Sequence, residues 1–228
     1  MVCKSIFITA TGTDVGKTYI SALLVKLMRD NGYNCGYYKP ALSGAVRQND
    51  GSLLPGDCDF VVKIAGLNVN PGDCVTYCFE EAVSPHLAAK RQGVIIDKNI
   101  IKSEYLKRCA IYDYLVVEGA GGITCPFCLD NEILLLSDVI KCLNMDILLV
   151  ANGGLGTIND VLLTVDYAKS CGISIRGILL NNYDKNNFMH VDNKKQIEYL
   201  TGIKVLAEIK KGDTALNVTG PTLEEIFV

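Results

Sequence analysis

No apolar run in this chain approaches the roughly 20 residues that a bilayer-spanning helix needs. The run at residues 147–151 falls far short. The start Met-Val-Cys-Lys-Ser-Ile-Phe-Ile is too short for a signal peptide. A cytoplasmic location is therefore expected. A basic excess is also missing: the formal net charge is −3 and the isoelectric point is about 5.4. That leaves no electrostatic footprint for nucleic acid or an anionic membrane. The chain has no long run of one charge sign, no internal repeat and no low-complexity linker. Cysteine, by contrast, is plentiful, at ten residues. Cys125 and Cys128 have C-x-x-C spacing, but no second pair completes a zinc site. Cys35, Cys109 and Cys142 lie in apolar runs, where reduced cysteine packs as a small hydrophobe.

Hydrophobic residues make up 49% of the 228, enough to bury a full core as one domain over residues 1–228. Short branched apolar runs at residues 6–9, 35–39, 114–117, 147–151, 175–180 and 205–209 read as strands. They are continuous rather than alternating, which fits a sheet covered on both faces. Helical patterns intervene at residues 17–31, 134–143, 159–170 and 193–200. In the first, Ile20, Leu23, Leu24, Leu27 and Met28 form an apolar stripe, and Gly32 follows as a stop. This alternation implies an α/β fold, with a mostly parallel sheet and helices on both faces. Residues 45–55 are polar and turn-rich and read as a mobile loop.

The first strand runs into Ala10-Thr11-Gly12-Thr13-Asp14-Val15-Gly16-Lys17-Thr18, and a helix follows. Strand, loop and helix are the context a phosphate loop requires. Its amides and the helix N-terminus favour phosphate oxygens. Lys17 is expected to reach the β- and γ-phosphates, and the Thr18 hydroxyl to ligate Mg²⁺. Thr11 stands where the usual pattern has glycine, and Gly12 is expected to supply the flexibility instead. Partitioning ATPases of the ParA/MinD type carry an extra lysine four residues before the loop's last glycine. Gly12 occupies that position here.

Lys39 closes the second strand in Tyr37-Tyr38-Lys39-Pro40, with Pro40 expected to fix the strand's exit and Ser43-Gly44 close behind. Strand ends in an open parallel sheet face the ligand crevice, and a lysine there can stabilise developing negative charge. As a lone residue it reads equally as a solvated strand-end lysine. Glu118 ends another apolar strand and opens Glu118-Gly119-Ala120-Gly121-Gly122. A carboxylate in that position suits Mg²⁺, and Gly119 and Gly121 allow backbone to approach a ligand closely.

The phosphate loop, Tyr-Lys-Pro with Ser-Gly, Ser84-Pro85-His86, Val-Glu-Gly-Ala-Gly-Gly and Leu155-Gly156-Thr157-Ile158-Asn159 together resemble the dethiobiotin synthetase family, in that order along the chain. The resemblance runs from Thr11 to about Asn182 and fades after Val205. It implies a ligase that converts 7,8-diaminononanoate, CO₂ and ATP into dethiobiotin, ADP and phosphate. A carbamate and a carbamic–phosphoric anhydride would be the intermediates. It further implies that Lys17 and Lys39 contact the γ-phosphate and carbamate, and that Thr13, Ser43 and Ser84 orient the diamine end. Thr13, Asp14, Val15, Gly16, Lys17 and Thr18 would cradle the nucleotide, and Asn181 would contact adenine.

Thr18, Glu118 and an aspartate after the Lys39 loop would hold Mg²⁺. Asp57 and Asp59 compete for that place. Asp57 is favoured because Phe60, Val61 and Ile64 follow it at helical spacing. Gly156 and Asn159 would bind the substrate's tail carboxylate across a homodimer interface. By their residues alone, Ser84 and Asn159 are equally ordinary helix caps. Lys210-Lys211 stands where the family commonly shows a proline.

Overall fold

The structure is a computed structural model that describes residues 3–130 and 132–227. Seven strands form its main sheet: β1 (Lys4–Ala10), β2 (Cys35–Ser43), β3 (Val75–Phe79), β4 (Tyr114–Glu118), β5 (Ile147–Asn152), β6 (Ile175–Asn181) and β7 (Val205–Ile209). All paired neighbours run parallel, in the order β7-β6-β5-β1-β4-β2-β3. The connecting helices are α1 (Lys17–Asp30), α2 (Gly56–Ala65), α3 (Pro85–Arg91), α4 (Lys98–Cys109), α5 (Leu136–Leu143), α6 (Thr157–Ser170) and α7 (Phe188–Thr201), and a short α8 (Leu223–Ile226) follows β7.

The two-residue side-chain period of a strand divides this sheet into two faces. Ile6, Ile8 and Ala10 of β1 pack with Ile20, Leu23, Leu24 and Met28 of α1 and with Cys58 and Val61 of α2. Phe7 turns the other way, joining Leu115 and Val117 of β4, Ile101 of α4 and Val139 and Ile140 of α5. A third cluster seats Val161 and Val165 of α6 and Ile197 of α7 on β5 and β6. With both faces covered, the strands can be apolar throughout.

Several expectations change. β2 does not stop at Lys39 but continues through Pro40 to Ser43. Up to Tyr38 it pairs with β4, and from Lys39 onward it pairs with β3. Proline has no amide to give to a ladder, and it falls at this change of partner. Residues 45–55 are not an open loop, because Val46–Arg47 and Leu53–Leu54 pair as a short antiparallel hairpin. α5 begins at Leu136, since Leu134–Leu135 pairs with Pro126–Cys128. α7 starts five residues before 193, where the Asn187 side chain accepts from the Met189 amide as an N-cap. In α2 the buried stripe is Cys58, Val61 and Ala65, while Phe60 and Ile64 are exposed.

Leu24 is fully enclosed between α1 and the sheet. Leu24→Ala is expected to lower stability by about 2–5 kcal/mol through lost burial and the cavity left behind. Urea denaturation of the two proteins measures it.

Candidate active site

The residues that matter meet just beyond the end of β1, at the end of β4 and midway along β2. Strand alternation points Tyr37, Lys39 and Glu118 to the face covered by α1 and α2. The β2–β4 register ends with Tyr38 opposite Val117, so the next residues on each strand are Lys39 and Glu118. Glu118 is completely buried. Its Oε1 accepts from Lys39 Nζ at 2.5 Å and from Thr18 Oγ1 at 2.8 Å. Its Oε2 accepts from the Tyr37 hydroxyl at 2.8 Å. Lys39 Nζ also donates to the Gly119 carbonyl at 3.3 Å and pairs with Asp57 Oδ2 at 2.9 Å. Asp59 faces elsewhere, paired with Lys63 one turn along α2 at 2.6 Å.

Burial by itself would lower the Lys39 pKa, but the Glu118 and Asp57 carboxylates outweigh it and hold the group above its ordinary value. Lys39 is therefore a fixed ammonium at neutral pH. Lys17 lies the other way: burial, and then the nearby Lys39 charge, lower its pKa. Its Nζ donates to the Gly12 carbonyl at 2.9 Å. The Tyr37 phenol is raised well above its usual value, first by burial and then by the Glu118 charge.

The loop's left-handed backbone falls at Asp14 (φ 58°) and Gly16 (φ 100°), not at Gly12. Aspartate is among the residues that tolerate this region. Gly16 occupies the N-cap position of α1, and no side chain caps that helix. Its first amides are thus directed at the cleft, with the helix dipole behind them.

The cleft encloses about 1000 Å³. Thr13, Asp14, Gly16, Lys17, Thr18, Lys39, Ser43, Asp57, Ser84, Glu118 and Gly121 all line it. Val15 is the buried residue of the loop, and Asn181 supports it from behind, where its Nδ2 donates to the Val15 carbonyl at 2.9 Å. Gly119 contributes backbone only. Gly156 and Asn159 lie outside the cleft of their own chain. Asn159 does not cap α6; Gly156 holds the N-cap position and Asn159 is the third helical residue. Ser84 holds the N-cap position of α3 but makes no side-chain capping bond.

Sequence reasoning missed Tyr37 as the second anchor of Glu118. The available signal was its place two residues before Lys39, on the same strand face. It also missed Leu42, Phe60, Val83 and Cys125, which line the cleft. Burial pushes the Cys125 thiol up to about 11, despite the opposing effect of Lys17, so it is protonated at neutral pH. Cys128 is buried in the core. Among the described residues, no group of three or more His, Cys, Asp and Glu side chains is placed to hold a metal ion.

A phosphate loop at the C-terminal edge of a parallel sheet, facing a buried lysine and two carboxylates, defines the P-loop nucleoside-triphosphate-binding class. Solved structures agree on the fold. A ParA family ATPase from Chlorobium tepidum TLS aligns over 92% of this chain and 84% of its own, with a TM-score of 0.55 at 15% identity. The MinD cell division protein of Aquifex aeolicus aligns over 92% and 83%, with a TM-score of 0.53 at 16% identity. A family model described as an AAA domain matches residues 4–217. The ATP-dependent dethiobiotin synthetase BioD of Clostridium botulinum (strain Eklund 17B / Type B) is 48% identical over 204 residues, covering 90% of this chain and 89% of that protein. The BioD of Clostridium novyi (strain NT) is 48% identical over 210 residues, covering 91% and 87%. The chain belongs to the dethiobiotin synthetase family.

Breaking a buried pair strands the remaining charge. Lys39→Ala is expected to destabilise the fold by about 3–5 kcal/mol, because Glu118 has no solvent to turn to. The double variant Lys39→Ala with Glu118→Gln should recover part of that loss. Urea denaturation of both variants and each single change measures the coupling.

Proposed function

We propose that this chain is a dethiobiotin synthase, an ATP-dependent cyclo-ligase of biotin biosynthesis. It joins 7,8-diaminononanoate and CO₂ as a cyclic urea while ATP becomes ADP and phosphate. The observation that carries this reading is the convergence of the Lys17 and Lys39 ammonium groups on one cleft with Thr18, Asp57 and Glu118. Partial negative charge spreads over the phosphoryl oxygens during transfer, so catalysis needs positioning and fixed positive charge more than covalent chemistry.

One amine of the diamine takes up CO₂ as a carbamate. A carbamate oxygen attacks the γ-phosphorus, ADP leaves, and a carbamic–phosphoric anhydride forms. The second amine attacks the carbamoyl carbon, closes the urea ring and expels phosphate. In this reading Lys17 and Lys39 neutralise the phosphoryl and carbamate oxygens, while Thr13, Ser43 and Ser84 orient the diamine. Leu42 and Val83 supply an apolar wall for the methylene chain. Thr18, Asp57 and Glu118 offer the oxygen donors that a hard cation takes, and hydrogen bonds and ion pairs gather all three around Lys39. Magnesium, when bound there, supplies charge neutralisation to the β- and γ-phosphate oxygens.

The proposal includes a cytoplasmic homodimer. Leu155 is 92% exposed and Phe188 86%. A second copy covering them would bring the N-terminus of its α6, with Gly156 and Asn159, to the substrate's carboxylate.

Purified protein supplied with diaminononanoate, bicarbonate, Mg²⁺ and ATP is expected to form dethiobiotin and release phosphate in step. ATP hydrolysis indifferent to the diamine would sink the proposal. Mixing inactive Lys39→Ala chains with inactive Gly156→Asp chains should restore turnover if sites are shared between protomers. Tyr37→Phe frees one Glu118 oxygen, and loss of such an orienting partner weakens metal sites about tenfold or more. A Mg²⁺ titration of phosphate release should shift upward accordingly, with the diamine KM unchanged.

A further inference from the structure

The chain carries ten thiols, and the chemistry of the cleft uses none of them as a nucleophile. Burial pushes Cys35 up to about 12, Cys74 and Cys125 up to about 11, and Cys58 higher still. All four are protonated at neutral pH. Cys109 differs. It is the last residue of α4 and is partly exposed. Tyr105 lies one turn earlier, so the two side chains share a helix face. Cys3, also partly exposed, stands just before β1, and Ser5 is the second residue of that strand. Ser5 Oγ lies 3.7 Å from Cys3 Sγ and 2.9 Å from the Tyr105 hydroxyl. The Cys109 sulfur is within hydrogen-bonding reach of the Cys3 thiol and of both hydroxyls. Backbone joins the two elements at the same place, where the Lys4 amide donates to the Asp113 carbonyl at 2.9 Å.

The end of a helix does not favour a thiolate, because its carbonyls carry partial negative charge. Neighbouring cations are engaged elsewhere: Lys107 and Arg108 both pair with Glu104, and the Arg108 guanidinium lies over the Tyr38 ring. The hydrogen-bond donors, the Cys3 thiol first, outweigh burial and bring Cys109 down to about 6. The same bond is the main cause that raises Cys3.

We propose that Cys109 and Cys3 form a thiol–disulfide exchange site for small disulfides of the glutathione class, with Cys109 as the attacking sulfur and Cys3 as the resolving one. The Cys109 thiolate attacks one sulfur of the disulfide. The S–S bond breaks, and the departing thiolate takes a proton from water. Cys3 then gives its proton to solvent and attacks the Cys109 sulfur. This expels the second small thiol and leaves a Cys3–Cys109 disulfide. Two protein thiols are oxidised, and one small disulfide is reduced to two thiols. The first step also removes the thiolate that held the Cys3 proton. The site stands at the N-terminal end of β1, with the phosphate loop beyond the other end, and it does not rest on the nucleotide-binding reading. A less basic thiolate is a weaker nucleophile, so the advantage over an ordinary exposed thiol is only about 3- to 5-fold at neutral pH. Against thiols that burial keeps protonated it is larger, on the order of tenfold or more.

The test incubates the reduced protein with oxidised glutathione at neutral pH. Remaining thiols are blocked with N-ethylmaleimide, and disulfide-linked peptides are mapped by mass spectrometry without reduction. A Cys3–Cys109 link is expected first, roughly tenfold or more ahead of reaction at the buried cysteines. Cys3→Ser should trap glutathione on Cys109, since the resolving thiol is gone. Cys109→Ser should leave Cys3 unmodified over the same period. Circular dichroism checks the fold of both variants, and the map of the parent protein decides alone if either misfolds. Glutathione landing first on another cysteine, a Cys125–Cys128 link in place of the expected one, or no reaction at all would overturn the proposal. So would a folded Cys109→Ser protein that reacts as fast as the parent.

Discussion

An ammonium group and a carboxylate share the interior of this protein at the end of its sheet, and much of the site follows from the need to satisfy them. Glu118 has no exposed surface. A charge so enclosed is tolerable only when paired and hydrogen-bonded. Lys39, Thr18 and Tyr37 meet that need, and Asp57 balances what remains of the lysine's charge. The β2–β4 register, the start of α2 and the first turn of α1 are all tied to this point. The arrangement also sets the electrostatics of the cleft. Burial and then the neighbouring Lys39 depress Lys17, and two carboxylates keep the two ammonium groups from repelling one another freely. The site is thus close to neutral before any polyanion arrives, yet it keeps two ammonium groups in fixed positions.

The phosphate loop adds a second constraint of a different kind. Its conformation is held by backbone geometry and by side-chain bonds to its carbonyls. Left-handed residues at Asp14 and Gly16 turn the chain, the Lys17 ammonium ties back to Gly12, and Asn181 supports Val15 from the far side. ParA and MinD proteins share this fold at 15–16% identity, so the scaffold does not by itself specify chemistry. Around the loop this chain carries Gly12, and Lys39 faces the same cleft from β2.

Much of this was legible in advance, and the failures have identifiable causes. Six of the seven sheet strands announce themselves as apolar runs. β3 does not, because Thr76, Tyr77 and Cys78 of this edge strand are only half buried and break the run. α4 escaped notice because Ile101 is its one buried residue, leaving almost no apolar stripe to read. The extension of β2 was hidden by Pro40, a residue that seldom lies within a sheet because it has no amide for the ladder. The choice between Asp57 and Asp59 rested on a helical stripe that is not the buried one, although the structure does bring Asp57 to Lys39.

Taken alone, the sequence determined most of the strands and helices in their order, the phosphate loop and the residue types of the site. Those depend on local spacing and on hydrophobic period, which a single chain carries in linear form. Only the tertiary structure decided which side chains touch. Tyr37 and Glu118 are 81 positions apart, and Asn181 and Val15 are 166 apart. Contacts of that span arise from strand order and register across the sheet, and no local pattern in the sequence encodes which strand will lie beside which.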